Sequence, residues 1–236
     1  MTRLSRAWSS GRLGVLGGTF DPVHYGHLDA AAAAWTALGL TDILFMPSHD
    51  PPHRPVDPHA TAFHRFAMVA LAIDGVPGYG ASDEELRRQG SSYTADTFRA
   101  LHASGWTPTQ IFFILGADAF AEIATWREFP AVLDGANFAV IARPGTSIDD
   151  ALARTPVLRS RVRPASHDVS TGSTTGVFLV EAVTRDVSST TIRKRLAARH
   201  SIDDLVPPAV ARHIAAHHLY GAEDGLHGDH QDKTVR

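Results

Sequence analysis

His24 and His27 stand three residues apart in Gly17-Gly18-Thr19-Phe20-Asp21-Pro22-Val23-His24-Tyr25-Gly26-His27-Leu28. On the first turn of a helix, residues at that spacing are neighbours on one face. A helix start offers unpaired N–H groups and a partial positive charge, both suited to phosphate. Gly17, Gly18 and Gly26 let the backbone come close to a bulky ligand. The stretch therefore predicts a polyphosphate site made of main-chain amides and two imidazoles. A second constellation, Ser188-Ser189-Thr190-Thr191-Ile192-Arg193, puts hydroxyls at a helix start and a guanidinium one turn on. It reads as a second phosphate cradle.

Elements on either side must hold these groups. Arg12 to Leu16 reads as a strand, Asp29 to Leu38 as a helix of good formers stopped near Gly39, and Asp42 to Pro47 as a buried strand. That order predicts a right-handed parallel crossover. Five prolines from Pro47 to Pro58 make an extended loop at the carboxyl end of a strand, where open α/β sheets bind ligands. Thr61 to Ile73 carries a helical stripe at Phe63, Phe66, Ala67, Ala70 and Leu71, with Phe63 and Phe66 expected in the core. Tyr79 to Asp83 is a weak third strand, and the charged run Glu84 to Gly90 is expected to be exposed. Ser91 to Thr97 leads into a helix through Leu101 that Ser92 or Thr94 could cap. Gln110 to Leu115 is the clearest buried strand and runs into Gly116-Ala117-Asp118, where a carboxylate can accept from ribose hydroxyls. Asn137 to Ala142 is the next strand, before Arg143-Pro144-Gly145. Residues 146 to 175 hold a short helical stretch and then a loop of Ser, Thr and Gly. Gly176 to Glu181 is the last strand, and Leu205 to Tyr220 a final helix. His213 and His217 on it have metal-compatible spacing, but no third ligand lies in register, so an exposed face and no metal centre are expected. The alternation predicts an α/β, Rossmann-like, doubly wound and mainly parallel sheet with helices on both faces. It forms a single domain over 12–220, between a flexible lead at 1–11 and a polar, disordered tail at 221–236.

The composition narrows the function classes. Of 236 residues, 44% are apolar, enough for a full core. The net charge of −3 argues against a general nucleic-acid binder. With no cysteine there is no disulfide, thiolate metal site or cysteine nucleophile. No apolar run reaches spanning length and no signal-peptide core opens the chain, so a cytoplasmic protein without a membrane partner is expected. Neither a Gly-x-x-x-x-Gly-Lys-Ser/Thr loop nor a Gly-x-Gly-x-x-Gly turn after a strand is present.

The string Gly-Gly-Thr-Phe-Asp-Pro-x-His-x-Gly-His resembles the signature of the nucleotidylyltransferase superfamily that carries His-x-Gly-His. With Gly17-Gly18 it resembles the bacterial nicotinate-nucleotide adenylyltransferases in particular, and the likeness runs from about Arg12 to about Tyr220, loosest over 146–175. The resemblance implies transfer of the adenylyl group of ATP to nicotinate mononucleotide, with Mg²⁺ arriving on ATP. It gives His24, His27, Thr19 and Arg193 catalytic roles. Gly17, Gly18, Phe20, Gly26, Gly116, Asp118, Arg143, Ser188, Ser189 and Thr190 would meet ATP. His53, Arg54, Tyr93, Thr94 and Trp126 would meet the mononucleotide, Trp126 by stacking on its pyridine and the Tyr93 segment through backbone amides. The chain departs from the family pattern at Arg54 (lysine is usual), Ser91 (often proline) and Val187 (isoleucine). A phosphate monoester is already anionic at neutral pH, so the reaction needs no general base. Pantetheine-phosphate adenylyltransferases and cytidylyltransferases fit the Tyr93 and Trp126 segments less well. Preference for nicotinamide mononucleotide stays open, as do a nucleotide-binding regulator without catalysis and a homo-oligomeric state.

Overall fold

The computed structural model describes residues 11–49, 58–88, 90–142, 149–165 and 174–221. β1 (Leu13–Gly18), α1 (Tyr25–Leu38) and β2 (Asp42–Pro47) follow one another as the local pattern predicts. Gly39 ends α1 in the left-handed conformation, φ 57°, which glycine adopts without steric cost. α2 (Ala62–Ala72), β3 (Tyr79–Ala81), α3 (Thr94–Ala103), β4 (Ile111–Gly116), the short α4 (Ala117–Ala121) and β5 (Asn137–Ala142) come next. After α5 (Asp149–Arg154), β6 (Val162–Pro164) and β7 (Val177–Glu181), the chain closes with α6 (Ser189–Ala197) and α7 (Pro208–Ala216).

The seven strands form one sheet in the order β3-β2-β1-β4-β5-β7-β6. Every pairing is parallel. Strands covered on both faces should be apolar throughout, and β4 shows why. Ile111, Phe113 and Leu115 pack on one face with α3 and α4, while Phe112 and Ile114 pack on the other with α1, α2, α6 and α7. The order reverses between β1 and β4, and ligands in such sheets bind outside the strand ends at that switch point. The loops after β1 and β4 both leave from there.

Several local expectations are corrected. Phe63 is 86% exposed, whereas Arg65 is buried; the inward stripe of α2 is Arg65, Met68 and Val69, which turns Phe63 outward while Phe66 stays half-buried. Within the charged run, Glu85 is buried and accepts a hydrogen bond from Thr97 Oγ1 at 2.5 Å; burial raises its pKa, against the pull of its hydrogen bonds from Thr97 and Ser92. Neither Ser92 nor Thr94 caps α3: Tyr93 holds the cap position, and Ser92 Oγ accepts from the His49 amide instead at 2.9 Å. The region 146–175 adds an edge strand, β6, that composition did not announce. The final helix is shorter than expected at both ends: Pro207 and Pro208 open it, and it stops at Ala216, ahead of the left-handed His218 and Tyr220 at φ 50° and 62°. The lead through residue 10, the tail from 222, His53, Arg54, Arg143 and the loop through Ser173 lie outside the described residues.

Candidate active site

β1 leads into the site through a tight turn. A side chain at Gly17 would press on the Phe113 ring at 3.2 Å, and one at Gly18 on the Phe20 ring at 3.3 Å. Phe20 itself is left-handed, φ 51°, although it is not glycine. That conformation costs roughly 1–2 kcal/mol, offset here by complete burial of the ring. Phe20 also meets His27 edge-on, with centroids 4.9 Å apart.

His24 is the N-cap of α1 and His27 lies one turn in. Their rings stack with centroids 3.7 Å apart and planes at 24°. The His24 amide donates to His27 Nδ1 at 3.2 Å. In a neutral imidazole the other nitrogen then carries the proton, so His27 Nε2 is a donor. His24 is only 7% exposed. Burial, opposed by nearby Asp29, holds its imidazole down at about 4, so it is neutral at neutral pH. Its Nδ1 is buried without a hydrogen-bond partner among the described residues. A side chain at Gly26 would crowd His24 Nδ1 at 3.1 Å and Val187 Cγ1 at 3.2 Å, so one or the other would have to shift. One first-turn amide of α1, that of Tyr25, is already taken by the Leu205 carbonyl at 3.0 Å.

These groups line a cleft of about 600 Å³ at the switch point, within the range of about 300–1,000 Å³ common for small-molecule sites. Gly17, His24, Gly26 and His27 form one wall; Leu115, Gly116 and Asp118 face them from β4 and α4; Thr184, Arg185 and Val187 supply a third side. Arg185 was not anticipated. It pairs with Asp29 at 3.4 Å and lies over the Tyr25 ring at 3.8 Å, a fixed cation beside the cleft.

The second signature is bound to the first. Ser189 Oγ donates to the Pro22 carbonyl at 2.9 Å, and Arg193 Nη1 donates to the Asp21 carbonyl at 2.7 Å. Ser188 caps α6 by accepting from the Thr191 amide, and Thr190 Oγ1 accepts from Arg193. The Ser189 hydroxyl and the Arg193 guanidinium, both expected to hold phosphate, thus bond to the loop that carries the histidines. Thr19 and Phe20 lie in that loop, Ser189 and Arg193 are bonded to it, and Ser188 and Thr190 bond within α6; none of the six lines the cleft.

Asp21, which sequence reasoning passed over, is the centre of this arrangement. It is 2% exposed and accepts from the amides of His59 and Ala60 and from the Tyr220 hydroxyl at 2.8 Å. Burial and the Asp21 charge push the Tyr220 phenol upward, keeping it protonated as the donor. Buried Arg65 donates to the carbonyls of Thr19, Ser48, His49 and Ala60. Its charge offsets that of Asp21 in the same interior. Capping and turn patterns in the sequence carry no signal for either group.

On the other face of the sheet, Trp126 packs edge-on against Phe113, centroids 6.0 Å apart. Phe113 in turn touches Gly17, so Trp126 reaches the signature through one ring. Arg127 lies over the Tyr93 ring at 4.6 Å, joining the Trp126 segment to the start of α3, where Thr94 is the first residue.

Fold and site together define a nucleotidyltransferase: the cytidylyltransferase-like family model matches residues 15–195. A chain of Symbiobacterium thermophilum named "Probable nicotinate-nucleotide adenylyltransferase" is 41% identical over 224 residues, covering 92% of this chain and 99% of that relative. A Pelobacter propionicus chain of the same name is 37% identical over 215 residues, covering 89% and 98%. The chain belongs to the nicotinate-nucleotide adenylyltransferase family. Its fold matches Plasmodium falciparum nicotinic acid mononucleotide adenylyltransferase complexed with APC, with a TM-score of 0.65, 19% identity, and coverage of 91% of this chain and 99% of that one. The same enzyme complexed with NaAD gives a TM-score of 0.63 at 18% identity.

Proposed function

We infer that the protein transfers the adenylyl group of ATP to nicotinate mononucleotide, releasing pyrophosphate and forming nicotinate adenine dinucleotide for NAD synthesis. The observation that carries the reading is the stacked His24–His27 pair lining a cleft at the switch point. A phosphate oxygen of the mononucleotide attacks the α-phosphorus of ATP in line, and the bond to the bridging oxygen of pyrophosphate breaks. The attacking oxygen is already an anion, so no base takes a proton and no covalent intermediate with the protein forms. Rate comes from alignment and from donors placed where charge grows on the α-phosphoryl oxygens. His27 Nε2–H supplies that donor, and His24 assists from the helix cap. Gly17, Gly18 and Gly26 give backbone access. Asp118 accepts from ribose, and Thr19 and Arg193 keep the loop in register.

ATP enters as its Mg²⁺ complex. Asp118 is the one carboxylate lining the described cleft, which suits an ion that keeps most of its waters and rides on phosphate oxygens. Trp126 and the α3 start form the mononucleotide side. The reading includes a cytoplasmic enzyme working on small molecules; among the described residues no helix is long and apolar enough to cross a membrane.

Pyrophosphate release from MgATP, measured side by side with nicotinate and nicotinamide mononucleotides, tests the proposal. Faster turnover with the nicotinate form is expected. Faster turnover with the nicotinamide form would reassign the substrate, and no release with either would leave a nucleotide-binding protein.

A further inference from the structure

His213 and His217 lack a third ligand along the chain, but the fold provides one. α2 packs on α7 and brings His64 to them. His64 Nδ1 and His213 Nε2 are 3.1 Å apart. The His213 and His217 rings lie 4.4 Å apart between centroids, and those of His64 and His217 4.9 Å. One ring nitrogen from each of the three falls within 4.8 Å of the others. This is the one group of three or more metal-capable side chains among the described residues.

Nitrogens held at about 2.0–2.1 Å by a tetrahedral zinc ion sit about 3.3 Å from one another. The closest pair is already at that spacing. His217 is exposed at the helix end, so closing the third distance by roughly 1–2 Å asks only for rotation of a surface side chain. A proton shared between His64 and His213 would also give a 3.1 Å contact, but it leaves the approach of His217 unexplained. Three imidazoles with no carboxylate or thiolate suit zinc, copper, nickel or cobalt and not magnesium or calcium, which take oxygen. The last turn of α7, with its partial negative charge, favours a cation there.

We propose that His64, His213 and His217 bind one first-row divalent cation of the zinc class, with a fourth position open to solvent, and that the ion staples α7 to α2. The staple acts where the signature loop is supported. Arg65, next to His64, donates to the Thr19 and Ser48 carbonyls, and Tyr220, three residues past His217, donates to Asp21.

The test uses the full chain stripped with a chelator and titrated with Zn²⁺ alone, without nucleotide. One equivalent should bind, and the Tm should rise by about 5–10 °C at free zinc near a hundred times Kd. Co²⁺ in place of zinc should give the intense visible bands of a four-coordinate site. His217→Ala removes an exposed ligand and His64→Gln a half-buried one at similar size. Both should abolish the binding and the Tm rise, with far-UV circular dichroism unchanged. Absence of zinc binding in the wild type would overturn the site, and so would one-equivalent binding retained by both variants.

Discussion

Two histidine pairs sit on two helices of this molecule, at nearly the same spacing, and their surroundings suit them to opposite tasks. His24 and His27 open α1; His213 and His217 close α7. The first pair is stacked, centroids 3.7 Å apart, and backed by Phe20 in a turn packed by aromatic rings. The second is tilted at 51°, more exposed, and joined by a third imidazole from α2. At a helix start the field is positive, and a neutral imidazole serves as an N–H donor to an anion. At a helix end the field is negative, and the same group serves as a lone pair for a cation. Residue type and spacing set what a pair can do; its place on the helix decides which.

The largest expected effect breaks the first pair. His27→Ala should lower kcat roughly 10³-fold, the usual consequence of removing one donor from a developing oxyanion, with the circular dichroism and Tm close to wild type. Normal turnover would remove His27 from the chemistry and make the α1 pair no more than a helix cap.

Next is the pH dependence that burial gives His24. Its pKa is about 4 in the folded protein against an ordinary 6.5, so between those values the unfolded chain binds more protons. Stability should fall as pH drops from 6.5 to 4, by up to about 3 kcal/mol from this group. The cost is fully absent above pH 7. Carboxylates titrate in part of the same window, so the readout is a difference: urea unfolding of wild type and His24→Gln at pH 7 and pH 4.5. The variant should lose less on acidification; an equal loss in both would mean that His24 is not held neutral by burial.

A smaller effect is expected at the other substrate. Trp126→Ala should raise KM for the mononucleotide about tenfold, in line with the loss of one base-stacking contact, and leave KM for ATP nearly unchanged. Equal changes in both constants would reduce Trp126 to packing against Phe113 and Phe138.

Much of this was legible in the chain. The strand–turn–helix around Gly17 and His27 follows from glycine, apolar runs and an alanine-rich segment, which are local signals. The cap at Ser188 was legible for the same reason. Contacts across the molecule were not. Arg65 sits within an apolar stripe, and its type predicts solvent; it is buried because four backbone carbonyls around the signature loop need a donor. Phe63 is the converse, an aromatic turned outward because that inward position is taken. His64 and His213 are 149 residues apart, and Asp21 and Tyr220 are 199 apart. No periodicity of 3.6 or 2 reports such a meeting; only the packing of α2 and α7 on the same sheet face does.

The smallest effect on catalysis asks whether the two pairs are coupled. Tyr220 follows His217 by three residues, and Asp21 precedes His24 by three, so the Tyr220–Asp21 hydrogen bond is the direct link between the α7 end and the α1 start. Tyr220→Phe keeps the ring and removes only the hydroxyl. Asp21 still accepts from the His59 and Ala60 amides and still faces Arg193 at 3.7 Å. The loss should therefore be one charge-assisted bond, about 1.5–3 kcal/mol of stability, with kcat lowered less than tenfold. The zinc-dependent rise in Tm should survive, because the three imidazoles do not use the phenol. Loss of that rise in Tyr220→Phe would mean that the metal is felt through Asp21, and the two histidine pairs would then be one device rather than two.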